Sequence, residues 1–67
     1  MALSARNQLR GTVKHVKMGD VMAEVVLDVG GQEVVAAITR ESAERLQLRP
    51  GDQVTALIKA TEVLIGK

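Results

Sequence analysis

The sequence contains no cysteine and no aromatic residue, and each absence excludes a class of structure. Without cysteine, the 67 residues can form neither a disulfide bond nor a thiolate metal site. Without Phe, Tyr or Trp, the hydrophobic core must consist of Val, Leu, Ile, Ala and Met. Domains this small usually need disulfides, a structural metal or oligomerisation to be stable. The composition therefore favours an oligomer, built from one domain that spans residues 1–67.

An excess of charge of either sign is also missing. Nine basic and eight acidic residues give a net charge of +1, too little for a surface that attracts duplex DNA or an anionic membrane. Proteins that bind single strands stack bases on aromatic side chains, which this chain lacks. No apolar run approaches the roughly 20 residues of a membrane span, and the amino terminus shows no secretory leader pattern. We expect a soluble cytoplasmic protein with no nucleic-acid partner and no membrane association.

Alternating apolar residues predict five strands and one short helix. The predicted strands cover residues 9–18, 21–29, 32–38, 54–59 and 63–65, and the predicted helix covers residues 39–46. The apolar residues change face near Lys14 and His15, which predicts a bulge in the first strand. Three strands, a helix and two strands are typical of an all-β, five-stranded OB-type barrel, which closes its sheet edges.

Turn chemistry supports these boundaries. Gly19 precedes an aspartate in a predicted hairpin turn, and Gly30 and Gly31 can both take the positive φ of a tight connection. Pro50 and Gly51 stand at the central positions of a predicted type II turn.

The second and third predicted strands carry apolar residues on both faces. Val25 and Leu27 lie on one face of the second strand, whereas Val26 lies on the other; Val35 and Ala37 repeat this pattern in the third strand. A monomer needs only one apolar face per strand, so the second face predicts a subunit interface.

Hydrogen-bond donors are concentrated just before the first predicted strand, in Ser4, Ala5, Arg6, Asn7 and Gln8. A hydroxyl, a guanidinium and two side-chain amides surround one small residue there, with no acidic group among them. All four polar side chains donate hydrogen bonds. A small, fully deprotonated anion requires such a set, although these residues alone leave open that the segment is a polar leader to the strand.

Two further segments combine donors with small residues. Thr39 and Ser42 place two hydroxyls at the start of the predicted helix, where free backbone N–H groups also favour an anion. Lys59, Ala60 and Thr61 place an ammonium and a hydroxyl between the last two strands. Ordinary helix capping and a polar β-corner explain each segment taken alone.

Features of an enzyme are scarce. His15, the one residue whose unperturbed pKa lies near neutrality, stands between Lys14 and Lys17 in a strand, as is typical of a solvated face. Gly30 and Gly31 join two strands and therefore do not form a dinucleotide or phosphate loop. Glu41 and Arg45 are spaced for an i,i+4 ion pair on the helix. We predict no catalysis, no catalytic residue, no cofactor and no bound metal cation.

Four segments together resemble the molbindins, the small Mop-type molybdate-binding proteins. They are Ser4-Ala5-Arg6-Asn7-Gln8 followed by Leu9-Arg10-Gly11, Ile38-Thr39 leading to Ser42, Leu48-Arg49-Pro50-Gly51-Asp52, and Ile58-Lys59-Ala60-Thr61-Glu62-Val63. The resemblance implies a five-stranded OB-type barrel that binds molybdate or tungstate reversibly at subunit interfaces. It also implies a homohexamer, arranged as a trimer of dimers.

By the family pattern, each oxyanion site draws on two subunits. The ligands implied are Ser4, Ala5, Arg6 and Asn7 with Lys59, Ala60 and Thr61 from one subunit, and Thr39 and Ser42 from its dimer partner. The family has a second class of site near its threefold axes, for which Lys14, His15 and Lys17 are the residues to test.

These observations predict a protein that stores molybdate or maintains its intracellular level. The alternative is a regulatory or sensor module that acts through a partner protein or DNA. The absence of an attached DNA-binding or ATPase domain disfavours that alternative.

Overall fold

A computed structural model describes residues 5–67. The chain forms a four-stranded antiparallel sheet, whose strands follow the alternation of apolar and polar residues, and one short helix. The elements are β1 (Asn7–Met18), β2 (Met22–Val29), β3 (Gln32–Thr39), α1 (Arg40–Arg45) and β4 (Gln53–Ile58), followed by a 3-10 turn at Ala60–Glu62. The prediction of a mostly β fold with one short helix is confirmed. No helical segment within residues 5–67 has the length and apolarity that a membrane crossing requires.

β1 organises the sheet, because its twelve residues pair with two other strands in succession. It pairs with β4 from Asn7↔Ile58 to Thr12↔Gln53, and with β2 from Thr12↔Asp28 to Met18↔Ala23. β3 extends the sheet beyond β2, so the strand order is β3-β2-β1-β4 and the sheet edges are β3 and β4.

The predicted bulge in β1 is confirmed, since the register with β2 shifts between Val13 and His15. The extra residue lets Val13 and Val16 both contact the core, whereas Lys14 and His15 are exposed. Gly11 lies where β1 passes from β4 to β2, and a Cβ there would come within 2.8 Å of the Asp28 carbonyl oxygen.

The turns follow the predicted chemistry. Gly30 and Gly31 join β2 to β3 with φ of 58° and 86°. Gly51 has φ of 96°, and the Asp52 backbone N–H donates to the Arg49 carbonyl at 3.1 Å, as in a type II turn.

The core lies on the sheet face that β1 and β2 share. Val13, Val25 and Leu27 form its centre, each at most 4% exposed. Val26, on the opposite face of β2, is also buried. In contrast, Met22 on that face of β2 and Val35 and Ala37 on the same face of β3 are exposed. The single chain therefore covers only part of the second apolar face predicted for β2 and β3.

The fifth predicted strand is not formed in the single chain. Residues 63–67 belong to no strand, and Leu64 and Ile65 are 93% and 90% exposed. The chain leaves β4 through the 3-10 turn, and neither sheet edge pairs with residues 63–65. A closed five-stranded barrel and an oligomer therefore stay predictions.

Candidate functional site

The start of β1 and the end of β4 meet at one place, which we name the β1–β4 edge and define as residues 5–7 and 59–61. Asn7 pairs with Ile58 at the end of the ladder, so Arg6 and Lys59, the next residues outward, emerge together. The Asn7 side-chain amide donates to the Ile58 carbonyl at 3.1 Å and thereby fixes this end of the sheet. Ser4 lies outside the described residues.

Lys59 begins the 3-10 turn that forms the other side of the edge. Its backbone is extended, and its carbonyl accepts a hydrogen bond from the Glu62 N–H at 2.9 Å. The turn leaves Lys59, Ala60 and Thr61 exposed. Within residues 5–67, neither Lys59 nor Arg6 lies within ion-pair distance of a carboxylate. The β1–β4 edge therefore presents two uncompensated cations beside a small residue and a hydroxyl.

Thr39 and Ser42, which we name the hydroxyl pair, hold each other at the start of α1. Thr39 is the N-cap residue, as predicted, and its Oγ1 accepts a hydrogen bond from the Ser42 backbone N–H at 3.1 Å. The Thr39 hydroxyl in turn donates to Ser42 Oγ at 2.7 Å. Arg45 Nη2 also approaches Ser42 Oγ, at 3.5 Å.

A single chain separates the hydroxyl pair from the β1–β4 edge. Thr39 pairs with Met22, and the neighbouring pair in β2 joins Ala23 to Met18, the last residue of β1. The β1–β4 edge lies at the opposite end of the same strand, beside Asn7. At about 3.3 Å per residue, β1 has a contour length of about 36 Å from Asn7 to Met18, measured along the bent strand and not straight between the two groups.

The residues proposed for a second class of site lie at the bulge, and one of them is already paired. Lys14 Nζ lies 2.6 Å from Glu33 Oε2 on β3, whereas His15 and Lys17 are exposed. The hydrogen bond to the carboxylate, reinforced by its charge, raises the pKa of Lys14. The same hydrogen bond and charge lower the pKa of Glu33. Lys14 is therefore the least available of the three for an anion.

The helix ion pair differs from the prediction. Arg40 Nε lies 3.4 Å from Glu44 Oε1, which replaces the predicted pair of Glu41 and Arg45. Arg45 instead turns toward Ser42, three residues before it. Sequence reasoning overlooked Arg45 as a neighbour of the hydroxyl pair, although an i,i+3 spacing from Ser42 could have revealed it.

The side chains present are suited to an anion rather than to a cation. Within residues 5–67, no group of three or more His, Asp or Glu side chains is placed to hold a metal ion. The β1–β4 edge offers charged donors, and the hydroxyl pair offers neutral ones. Charge-assisted hydrogen bonds are stronger than neutral ones, so an oxyanion would be held mainly by Arg6 and Lys59.

Comparison with known proteins gives consistent results. The family model of the TOBE domain matches residues 3–65. "Molybdenum-pterin-binding protein 3" of Clostridium pasteurianum is 50% identical over 66 residues, which are 97% of each chain. The structure of a molybdate-binding protein from Sporomusa ovata superimposes with a TM-score of 0.96, at 54% identity and with 100% of both chains covered.

A third relative has been solved with its ligand. The structure of the cytoplasmic molybdate-binding protein ModG with molybdate bound has a TM-score of 0.85 and 48% identity. The superposition covers 90% of this chain and 43% of that one. The resemblance to the molbindins is thus confirmed over nearly the whole sequence, and the chain belongs to the TOBE domain family.

Proposed function

We propose that this chain binds molybdate, and tungstate about equally well, at sites shared between subunits. The observation that carries the proposal is the β1–β4 edge, where strand pairing makes Arg6 and Lys59 emerge together in a chain 54% identical to a molybdate-binding protein. The ligands we propose are Ser4, Ala5, Arg6, Asn7, Lys59, Ala60 and Thr61 of one subunit, with Thr39 and Ser42 of the partner subunit.

The chemistry of the anion fits these residues. A molybdate dianion has four oxygens that only accept hydrogen bonds at neutral pH, so every group facing it should donate. Arg6 and Lys59 match its two negative charges with charge-assisted bonds. Protonated phosphate brings a donor of its own to a site of donors, which disfavours it. Sulfate has the same charge and shape, so cavity size must exclude it, whereas tungstate is nearly the same size as molybdate.

A partner subunit is needed to complete the site. The hydroxyl pair and the β1–β4 edge lie at opposite ends of β1, so one chain cannot direct both groups at one small anion. A partner that turns its hydroxyl pair toward the β1–β4 edge supplies the missing donors. The arrangement we propose is a dimer with two such sites. Three of these dimers form a hexamer.

The unpaired sheet edges support this assembly. An apolar cavity of about 320 Å³ lies between the two edge strands and is lined by Ile38 of β3 and Ile58 of β4 among other apolar residues. Leu64 and Ile65 are almost fully exposed and belong to the segment predicted as a strand. A strand placed between β3 and β4 would fill the gap between these two edges. We propose that residues 63–65 add the fifth strand to a neighbouring subunit and close its barrel.

The role we propose is storage of molybdate or maintenance of its level in the cytoplasm, where the relative ModG is described to reside. Donors that surround an oxyanion hold it reversibly and leave its bonds unchanged, so the site calls for no catalysis.

Native mass spectrometry with and without molybdate tests the proposal. We expect a hexamer that gains discrete molybdate adducts, with isothermal titration calorimetry in chloride buffer giving matching stoichiometry. Sulfate at equal concentration serves as the control anion. A monomer that gains no adduct would contradict the proposal and favour the regulatory module instead.

A further inference from the structure

We infer that Arg45 is a positioning residue of the anion site: it adds a third positive charge and holds the Ser42 hydroxyl in the direction of the anion. This inference rests on the proposed function, and it concerns a residue that neither the sequence pattern nor the family resemblance assigned to the anion site.

Thr39, Ser42 and Arg45 follow one another at intervals of three, which places them along one side of α1. Their polar atoms are in contact: the Thr39 hydroxyl lies 2.7 Å from Ser42 Oγ, and Arg45 Nη2 lies 3.5 Å from the same atom. An anion that reaches the hydroxyl pair therefore comes within range of the Arg45 charge.

A count of hydrogens gives each hydroxyl a distinct role. Without an anion, Thr39 directs its one hydrogen at Ser42 Oγ and accepts the Ser42 backbone N–H, so it donates to an anion only if its O–H rotates away from Ser42. Ser42 Oγ accepts from Thr39 at 2.7 Å, and Arg45 Nη2 faces its other side at 3.5 Å, at the long end of hydrogen-bond distance. The remaining hydrogen-bonding capacity of Ser42 is its own O–H, which must point away from both neighbours and is polarised by them. Ser42 is therefore the readier donor of the two hydroxyls, and Arg45 helps to orient its O–H.

The charges along α1 leave Arg45 free to act on an anion. Arg40 Nε lies 3.4 Å from Glu44 Oε1, and its Nη1 donates to the Gly19 carbonyl at 3.3 Å. Arg40 thus ties α1 to the turn between β1 and β2. Within residues 5–67, Arg45 has no carboxylate at ion-pair distance, and Glu41, one turn before it, is exposed.

The test compares Arg45→Gln with Arg49→Gln, which removes the same charge from an exposed residue four positions further on. Molybdate titrations of the full chain would be made by calorimetry at low and high sodium chloride. We expect Arg45→Gln to raise the Kd about three- to tenfold at low salt, with a smaller change at high salt, and Arg49→Gln to stay within about twofold. Arg45→Lys, which keeps the charge, should recover much of the loss.

A double-mutant cycle separates orientation of Ser42 from charge alone. In a Ser42→Ala background, Arg45→Gln should cost measurably less affinity than in the wild type, because the hydroxyl it orients is gone. Thermal unfolding of every variant checks that each is folded. Equal Kd values for wild type and Arg45→Gln, or equal losses in Arg45→Gln and Arg49→Gln, would overturn the inference while leaving the proposed function intact. Failure of the wild type to bind molybdate would overturn both.

Discussion

The β1–β4 edge and the hydroxyl pair offer donors to the same proposed anion, yet they are built in opposite ways. At the edge, backbone pairing and the Asn7–Ile58 bond join residues 51 positions apart, and the side chains of Arg6 and Lys59 extend into solvent. In the hydroxyl pair, the side chains of Thr39 and Ser42 position each other.

This difference determines what a substitution measures. A side chain that only extends from the edge can be removed without loss of a bond that holds the fold. A hydroxyl that caps α1 is part of the fold, so its removal alters stability and affinity together. The following predictions test that division, beginning with the largest effect.

Removal of either cation at the edge should affect binding and leave folding unchanged. We expect Arg6→Ala and Lys59→Ala each to cost about 1.5–3 kcal/mol of binding free energy, as for a charged hydrogen bond, or about 10- to 150-fold in Kd. Titration calorimetry measures the loss, and urea unfolding should show a change within about 0.5 kcal/mol. Arg10→Ala, which removes an exposed arginine four residues along β1, is the control. Unchanged affinity in both edge variants would remove the edge from the site.

Removal of the cap should affect folding first. Thr39→Ala loses the oxygen that accepts the Ser42 N–H, so we expect about 1 kcal/mol less unfolding free energy in urea, and at most about 2 kcal/mol. Ser42→Ala keeps that backbone hydrogen bond. It should therefore cost less unfolding free energy than Thr39→Ala, while still lowering the affinity for the anion. If the two variants lose equal unfolding free energy, the hydrogen bond from the Ser42 N–H to Thr39 Oγ1 is not what stabilises the start of α1.

A substitution of Asn7 tests whether backbone pairing alone holds the β1–β4 edge together. Asn7→Ala removes the 3.1 Å bond to the Ile58 carbonyl, and we expect a loss of about 0.5–1 kcal/mol of unfolding free energy. Its neighbour provides the control: Gln8→Ala removes an exposed amide with only a 3.4 Å contact and should have a smaller effect. Equal effects would mean that the ladder holds the edge without help from Asn7.

The pair of Lys14 and Glu33, outside both halves of the site, should give the smallest effect. The pKa of Glu33 is lowered by its bond to Lys14, so the pair stabilises the fold above the ordinary value of 4.5, and this contribution is lost as the pH falls through the lower, folded value. The pKa of Lys14 is raised, so the contribution lasts until the pH rises past 10.5 and through the folded value. Both groups are exposed, which keeps the effect small.

Glu33→Gln should therefore flatten the acid side of a plot of unfolding free energy against pH and leave molybdate affinity at pH 7 unchanged. Urea unfolding between pH 3 and pH 7 measures the first, and calorimetry the second. A change in affinity would show that Lys14, once freed from Glu33, takes part in anion binding.

Features that depend on nearby residues could be predicted from the sequence. Gly30 and Gly31 adopt positive φ because a tight connection needs it, and Thr39 caps α1 because its hydroxyl reaches the nearest free N–H. The bulge at Lys14 was visible as a change of apolar face.

Features that depend on contacts between distant residues could not be predicted from the sequence. The bond from Asn7 to Ile58 and the contact of Lys14 with Glu33 require the folded register. The strand predicted at residues 63–65 requires a sheet edge that the single chain does not provide. The spacing of Arg45 fits both Glu41 and Ser42, and spacing alone cannot show which of the two it contacts. The binding roles of all the proposed site residues stay predictions, and the division of the ligands between two subunits came from the family resemblance.

The exposure of Leu64 and Ile65 has a consequence for how such a protein responds to its own abundance. If those residues complete a neighbour's barrel, each anion site exists only in the assembled fraction of the protein. Mass action then makes the capacity for molybdate rise more steeply than the protein concentration, with a threshold below which little is held. By linkage, molybdate must in turn stabilise the assembly, so a cell rich in the anion would keep the reservoir together, and depletion would favour its dissociation.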